Sequence, residues 1–287
     1  MPIPMPTATS RPSSSPHPSP SSPAPLIALL TDFGRADPYV AQMRAVLLAA
    51  APGVPLLDVS HEVAPGDVWQ AGFFLAATLP WLPPGSVVCA VVDPGVGTQR
   101  RVLLVESASR RILAPDNGLL TLVFGRAEGC RILDATPRYV PASATFHGRD
   151  VFAPLAARLA MGEEARDVAT LLDGAEPVLL EGLEPVREGG RVAARVLSVD
   201  RFGNCILSLD LGRFGEVPQG VALVAPVGQV LAPSRTYGEI PSGAVGILAG
   251  SQGYLELAVN GDSAAARLGL GVREAVTLTW PQGGEEV

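Results

Sequence analysis

From Leu26 onward the chain alternates two hydrophobic patterns. An unbroken apolar run, "LIALL", gives way to "VAQMRAVLLAA", in which Val40, Met43 and Leu47 recur at helical spacing. The pair then repeats: "VPLLDV" reads as a strand, and "DVWQAGFFLAATL" as a helix with Val68, Ala71 and Leu75 on one face. Short continuous apolar runs suit buried strands, and residues recurring every three to four positions suit helices lying on them. "VVCAVVD" and "RVLLVE" add two strands, and "VFAPLAARLAMG" adds a helix through Phe152, Leu155 and Leu159. The alternation predicts an α/β domain, a sheet flanked by helices, over residues 26–180.

Beyond Glu181 the pattern changes. "RVAARVLSVD", "NCILSLDL", "VALVAPV", "AVGILAG", "YLELAVN" and "AVTLTW" succeed one another with turn residues between them. Helical spacing is absent from most of this half. Residues 191–284 are therefore expected to form a small antiparallel β-barrel or sandwich, joined to the first domain by a linker at 181–190 rich in Gly, Pro and charge. The opening "MPIPMPTATSRPSSSPHPSPSSPAP" is Pro/Ser-rich and has no apolar core; residues 1–25 read as a disordered tail or a misplaced start, and not as a signal peptide.

Composition narrows the function. With 47% hydrophobic and 17% charged residues among 287, the chain can fill one large core or two moderate ones. A net charge of -7 with 21 scattered cationic residues argues against a nucleic-acid partner. No apolar run reaches membrane-spanning length, so no membrane partner is expected. All the cationic residues are arginines, which removes Schiff-base lysines and P-loops from consideration. Cys89, Cys130 and Cys205 are odd in number and widely spaced, as expected of buried thiols in a reducing cytoplasm rather than disulfides or a zinc site.

Ligands of open α/β sheets bind beyond the carboxyl ends of the strands, which directs attention to Asp32, Asp58 and Asp93. Any one such acid can simply cap a helix or stabilise a turn, and Asp58 is assigned that role. Asp32 stands in "TDFGRADPY", where Asp37 adds a second carboxylate to a polar loop able to hold a diol. Asp93 and Arg100 flank "PGVGTQ", a tight reversal across which a charge-assisted pair is plausible, either structural or functional. Arg101 should point to the opposite face by strand alternation. Of the histidines, His17 lies in the tail, His61 is assigned a loop hydrogen bond, and His147 has polar neighbours in "TFHGRD" that favour a functional role. Pairing His61 with His147 around a metal lacks any supporting spacing. Asp200, Asn204 and Ser251 sit beside glycines at strand junctions, where turn formation alone accounts for them.

In register, "LLTDFG", "DVSHEVAPGDV", "VVDPGVGTQRR", "APDNGLL", "TFHGRDVFAP", "VDRFGN" and "GSQGYLELAVN" resemble the S-adenosyl-L-methionine (SAM) hydroxide adenosyltransferase family, relatives of the fluorinases and chlorinases. The resemblance runs from about Leu26 to Trp280. It implies an α/β domain followed by a small β-barrel, assembled as a cytoplasmic homotrimer with the substrate between the first domain of one subunit and the second domain of the next. The implied reaction is attack of water-derived hydroxide on C5′ of SAM, giving adenosine and methionine, with no metal and no organic cofactor. The family's Asp-Arg-His constellation falls on Asp93, Arg100 and His147, its ribose-holding acid on Asp32, its methionine contacts on Asp200 and Ser251, and an adenine contact on Asn204. The halogenating relatives carry tyrosine, serine, tryptophan and arginine where this chain has Asp93, Gly148, Gly66 and Gln252. Those departures argue against a halide pocket. A histidine near an arginine should stay neutral and able to accept a proton. The rival readings are a non-catalytic adenosine- or SAM-binding protein, a SAM-dependent halogenase, and a metal-dependent hydrolase built on His61 and His147.

Overall fold

The computed structural model describes residues 25–280, apart from 127–128, 138–140, 173–175 and 216; the expected tail falls, but for Pro25, outside the described residues. Strands β1 (Ile27–Thr31), β2 (Leu56–Ser60) and β3 (Val87–Val91) run parallel with β1 in the middle. Next in the sheet comes β5 (Arg110–Pro115), parallel to β3. β4 (Val102–Ser107), β6 (Arg131–Asp134) and β7 (Thr170–Leu171) then join antiparallel, giving the order β2-β1-β3-β5-β4-β6-β7.

β1 is buried along its whole length, and alternation sends its side chains to two cores. Ile27 and Leu29 meet Met43 and Leu47 of α1 (Tyr39–Ala50) and Leu155 and Leu159 of the helix Ala153–Ala160. Ala28 and Leu30 meet Ala71 and Leu75 of α2 (Val68–Thr78) on the other face. The helical stripes read from the sequence are those that pack, except that Val40 of α1 is only half-buried and lies outside both cores. α2 begins where Asp67 accepts hydrogen bonds from the N–H groups of Trp69 and Gln70, both at 3.1 Å.

The second half contains β8 (Val186–Glu188), β9 (Arg191–Val199), β10 (Cys205–Asp210), β11 (Ala222–Ala225), β12 (Gln229–Pro233), β13 (Val245–Ala249), β14 (Tyr254–Ala258) and β15 (Ala275–Thr279). Following the pairing from β9 through β10, β14, β13, β12, β11 and β15 returns to β9, so the barrel closes and leaves no open edge among these strands. The expectation of a purely antiparallel barrel needs one correction: β12 and β13 are parallel. The segment between them carries the short turn Tyr237–Glu239 and crosses over, so β13 begins beside Leu231 in the middle of β12 and runs the same way instead of folding back as a hairpin. β8, inside the segment 181–190, forms a hairpin with β9.

The halves share a core in which Phe73 of α2 packs against Tyr254 of β14, their rings 5.6 Å apart. Arg126 lies over the Tyr254 ring at 3.9 Å, pairs with Asp210 and donates to the Gly253 carbonyl at 2.7 Å. Cys89 and Cys205 are buried, and burial pushes both thiols up to about 12. Cys130 departs from the expectation of full burial: it follows the turn before β6 and is partly exposed.

Candidate active site

Asp32 and Asp93 both lie just past the carboxyl ends of adjacent parallel strands, β1 and β3, and line one open cleft of about 510 Å³. Asp37 and His147 line it too. Topology therefore gathers four of the candidate residues at the address expected of a ligand site in such a sheet.

The Asp93 loop is built to reach back to Arg100. Asn117 donates from Nδ2 to the Val92 carbonyl at 2.9 Å and fixes the chain one residue before Asp93. The reversal is then closed by Val96 N–H to the Asp93 carbonyl at 3.2 Å and Thr98 Oγ1 to the Gly95 carbonyl at 2.7 Å. Gly97 has φ of +81°, and a Cβ there would come within 2.9 Å of the Ala144 carbonyl. Only glycine lets this loop press against the segment that delivers His147.

Arg100 donates through Nε to both Asp93 carboxylate oxygens, at 3.0 and 2.8 Å, and its Nη2 also contacts Oδ2. The same Nη2 donates to His147 Nδ1 at 2.9 Å. A guanidinium has no acceptor, so Nδ1 must be the acceptor and the neutral imidazole carries its proton on Nε2. Burial and the Arg100 charge hold the His147 pKa below the ordinary 6.5, outweighing the opposing pull of Asp93 and Asp150. Arg100 stands behind Asp93 and His147 and is not in the cleft wall, with side-chain exposures of 10% for Arg100 and 4% for Asp93. Arg101 takes the opposite side, donating to Asp116 at 2.7 Å and to the Glu176 carbonyl at 2.8 Å.

His147 immediately precedes one turn of π-helix, Gly148–Phe152, that leads into the helix Ala153–Ala160. The turn is anchored by Asp150, which accepts from Ser143 N–H at 2.8 Å and from Arg149 Nε at 2.6 Å. At Gly148 a Cβ would stand 3.1 to 3.2 Å from Met43 Sδ and the Phe33 and Phe146 rings. A serine here has no room unless that wall moves. Phe33, Tyr39 and Phe146 all line the cleft and contact one another at centroid distances of 5.2 to 5.8 Å. They form an apolar side that the charge-led sequence reading did not single out.

Asp32 accepts from the Gly66 N–H through Oδ2 at 2.8 Å. Its loop is held from beneath by the Gly34 N–H to the His61 carbonyl at 2.7 Å. His61 is buried, its Nδ1 2.8 Å from Thr31 Oγ1, and so performs the loop hydrogen bond expected of it. Its Nε2 lies 3.3 Å from Asp58 but is not aligned as a hydrogen bond, and Asp58 in turn receives Arg44 at 2.6 Å. His61 and His147 thus have separate partners, and among the described residues no group of three or more His, Cys, Asp or Glu is arranged to hold a metal.

Asp200, Asn204 and Ser251 line a second cleft of about 710 Å³, on the barrel, that shares no lining residue with the first. One chain does not bring the two sets of candidates together. Asp200 accepts three bonds within its own turn, from Phe202 N–H at 2.9 Å, Asn204 N–H at 2.8 Å and Asn204 Nδ2 at 2.9 Å. Phe202 projects over this cleft with 79% of its surface exposed, a position that neither period nor charge would flag.

Residues 27–169 match the family model of the SAM hydroxide adenosyltransferase N-terminal domain, and residues 194–277 match that of the C-terminal domain. The chain is 41% identical over 258 residues to the (R)-S-adenosyl-L-methionine hydrolase of Thermus thermophilus, a match covering 85% of this chain and 95% of that protein. A fluorinase from an Actinoplanes species is 28% identical over 295 residues, covering 89% and 97% respectively. The crystal structure of an uncharacterized conserved protein from Thermotoga maritima superposes with a TM-score of 0.79 at 31% identity, covering 88% of this chain and 99% of that one.

Proposed function

The chain belongs to the SAM hydroxide adenosyltransferase family, and from that premise we propose that it hydrolyses SAM to adenosine and L-methionine. The observation that carries the reading is the single hydrogen-bonded chain Asp93–Arg100–His147, set against the Asp32 loop in one cleft. In this reading Asp32 accepts the ribose hydroxyls through the oxygen that Gly66 leaves free, with Asp37 beside it.

The reaction is an in-line displacement: a water oxygen bonds to C5′, the C5′–S bond breaks, and its electron pair stays on sulfur. A sulfonium leaves as a neutral thioether, so no acid is needed on the departing side. The nucleophile is the difficulty. With His147 Nδ1 engaged by Arg100, its Nε2–H is a donor to the water oxygen and not the proton acceptor expected from the sequence, and the remaining lone pair on Asp93 Oδ1 is the acceptor for the water proton. Arg100 orients both and favours the developing hydroxide electrostatically. The aromatic side formed by Phe33, Tyr39 and Phe146 keeps bulk water from the sulfonium.

We further propose that the barrel cleft, with Asp200 and Ser251 toward the methionine portion and Asn204 toward adenine, faces the first cleft of a neighbouring copy in a homotrimer. The separation of the two clefts within one chain supports that arrangement. The test is to incubate purified protein with SAM in chloride-free and in chloride buffer and separate the products. Adenosine plus methionine in both buffers is expected. 5′-Chloro-5′-deoxyadenosine in chloride would move the reading to a halogenase, and intact substrate retained on the protein would reduce it to binding.

A further inference from the structure

Glu256 interrupts the apolar strand β14, "YLELA", in the middle of the barrel half. It is 5% exposed, a rare degree of burial for a carboxylate, yet it lines the barrel cleft. Tyr237, from the crossover between β12 and β13, donates its hydroxyl to Oε1 at 2.5 Å. No hydrogen bond to Oε2 comes from any described residue. Gly250 packs closely against that carboxylate, since a Cβ there would stand 3.0 Å from Oε2 and 2.9 Å from the Tyr254 carbonyl. Burial and the nearby Asp200 charge both raise the Glu256 carboxyl.

Oε2 is not sealed off from solvent, so an N–H entering the cleft can reach it and make a charge-assisted bond with a largely buried carboxylate. The lining gives the sign of that ligand: Asp200, Glu256 and Asp262 contribute three acids and no arginine. Asp200 is already engaged by three donors of its own turn, and Asp262 accepts from Ser263 N–H at 2.8 Å. Asp262 is exposed and Asp200 is largely engaged by its own turn, so Oε2 is the largely buried acceptor of the cleft with no donor among the described residues. A sulfonium carries no N–H, so it can be attracted by the field but cannot satisfy this oxygen.

We infer that Glu256, held by Tyr237, is the specificity residue that receives the α-ammonium of the substrate's amino-acid end. The inference rests on the SAM reading above and extends it to a residue outside the Asp-Arg-His set. Glu256 selects substrates bearing a free α-amino group and disfavours sulfonium nucleosides that lack it. Tyr237 is a positioning residue, acting through the carboxylate.

The experiment compares SAM with its analogue in which the α-ammonium is replaced by hydrogen, on wild type, Glu256→Gln and Tyr237→Phe, by kcat/KM and by calorimetric binding. A hydrogen bond to a charged group corresponds to a preference of about 10- to 150-fold. Wild type should prefer SAM by that factor. Glu256→Gln should lose about that factor on SAM, mainly in KM, while leaving the analogue nearly unchanged; Tyr237→Phe should weaken the preference partly. Equal losses on both substrates, or an intact preference in Glu256→Gln, would overturn the inference and leave Glu256 structural. If wild type binds SAM but releases no adenosine, the hydrolase reading fails alone, and the calorimetric preference decides the Glu256 assignment. Absence of any preference in wild type overturns it directly.

Discussion

Replacing Arg100 by lysine tests whether one guanidinium organises the nucleophile. Arg100 makes two Nε contacts to Asp93, a further Nη2 contact to it, and the Nη2 bond to His147 at 2.9 Å. A lysine ammonium is a point donor that can keep one contact to the carboxylate but cannot span to the imidazole. At least two charge-assisted bonds are lost, each worth about 1.5–3 kcal/mol, and water entering the gap restores part of that. A net loss of about 3 kcal/mol in transition-state stabilisation corresponds to a roughly 100-fold fall in turnover. Because Arg100 stands behind the cleft wall, the fall should appear in kcat with KM nearly unchanged. Adenosine release followed by chromatography measures it, and circular dichroism melting verifies that the variant is folded. A folded Arg100→Lys protein whose kcat stays within about threefold of wild type would refute the assignment.

Because burial and Arg100 keep His147 below 6.5, the pH–rate profile should stay flat through neutrality and fall only below the ordinary histidine range; an acidic limb centred at or above 6.5 contradicts the environment described. The linked stability has the same sign: a lowered folded pKa makes its contribution complete above 6.5 and lost as pH falls through the folded value, measurable as a decline in melting temperature that His147→Asn should lack. Gly148→Ser should overpack the wall of Met43, Phe33 and Phe146 by about 1–3 kcal/mol, lowering the melting temperature by roughly 2–10 °C, and should reduce hydrolysis without producing a chlorinated product in chloride. Arg126→Ala removes the stack on Tyr254 and the Asp210 pair from the joint between the halves; a loss of about 2–4 kcal/mol by denaturant titration is expected, and an unchanged midpoint would show the joint to be unimportant.

Much of the fold was legible because burial dictates period. Met43 and Leu47 of α1, Ala71 and Leu75 of α2 and the unbroken runs of β1 and β3 pack as their spacing requires. β5, β6, β7, β8 and β12 escaped notice: β6, β7 and β8 are four, two and three residues long, β12 is a five-residue run ending in Pro, and β5 opens on two arginines. The parallel β12–β13 pair depends on a crossover, which leaves no local signature. At the site, Asp93 and Arg100 could be joined on paper because a turn connects them. His147 is delivered from 47 residues away by the contact of Gly97 with Ala144, a tertiary event. Asn117 was visible only as part of a resemblance, and its contact with the Val92 carbonyl gives it a physical task. Glu256 did leave a trace, a charge inside an apolar strand, but its meaning required the Tyr237 hydroxyl and the donor-free oxygen beside Gly250.

The two clefts on separate halves, with no shared wall, have a consequence for how such a protein is controlled. On the proposed assembly, neither the nucleophile nor the recognition surface is sufficient within one copy, so turnover belongs to the oligomer. A newly made chain can fold, close its barrel and complete its hydrogen-bonded cores while remaining harmless to the cell's supply of methyl donor. Destruction of that donor would then begin only above a threshold abundance set by subunit affinity, and dilution would silence the protein without unfolding it.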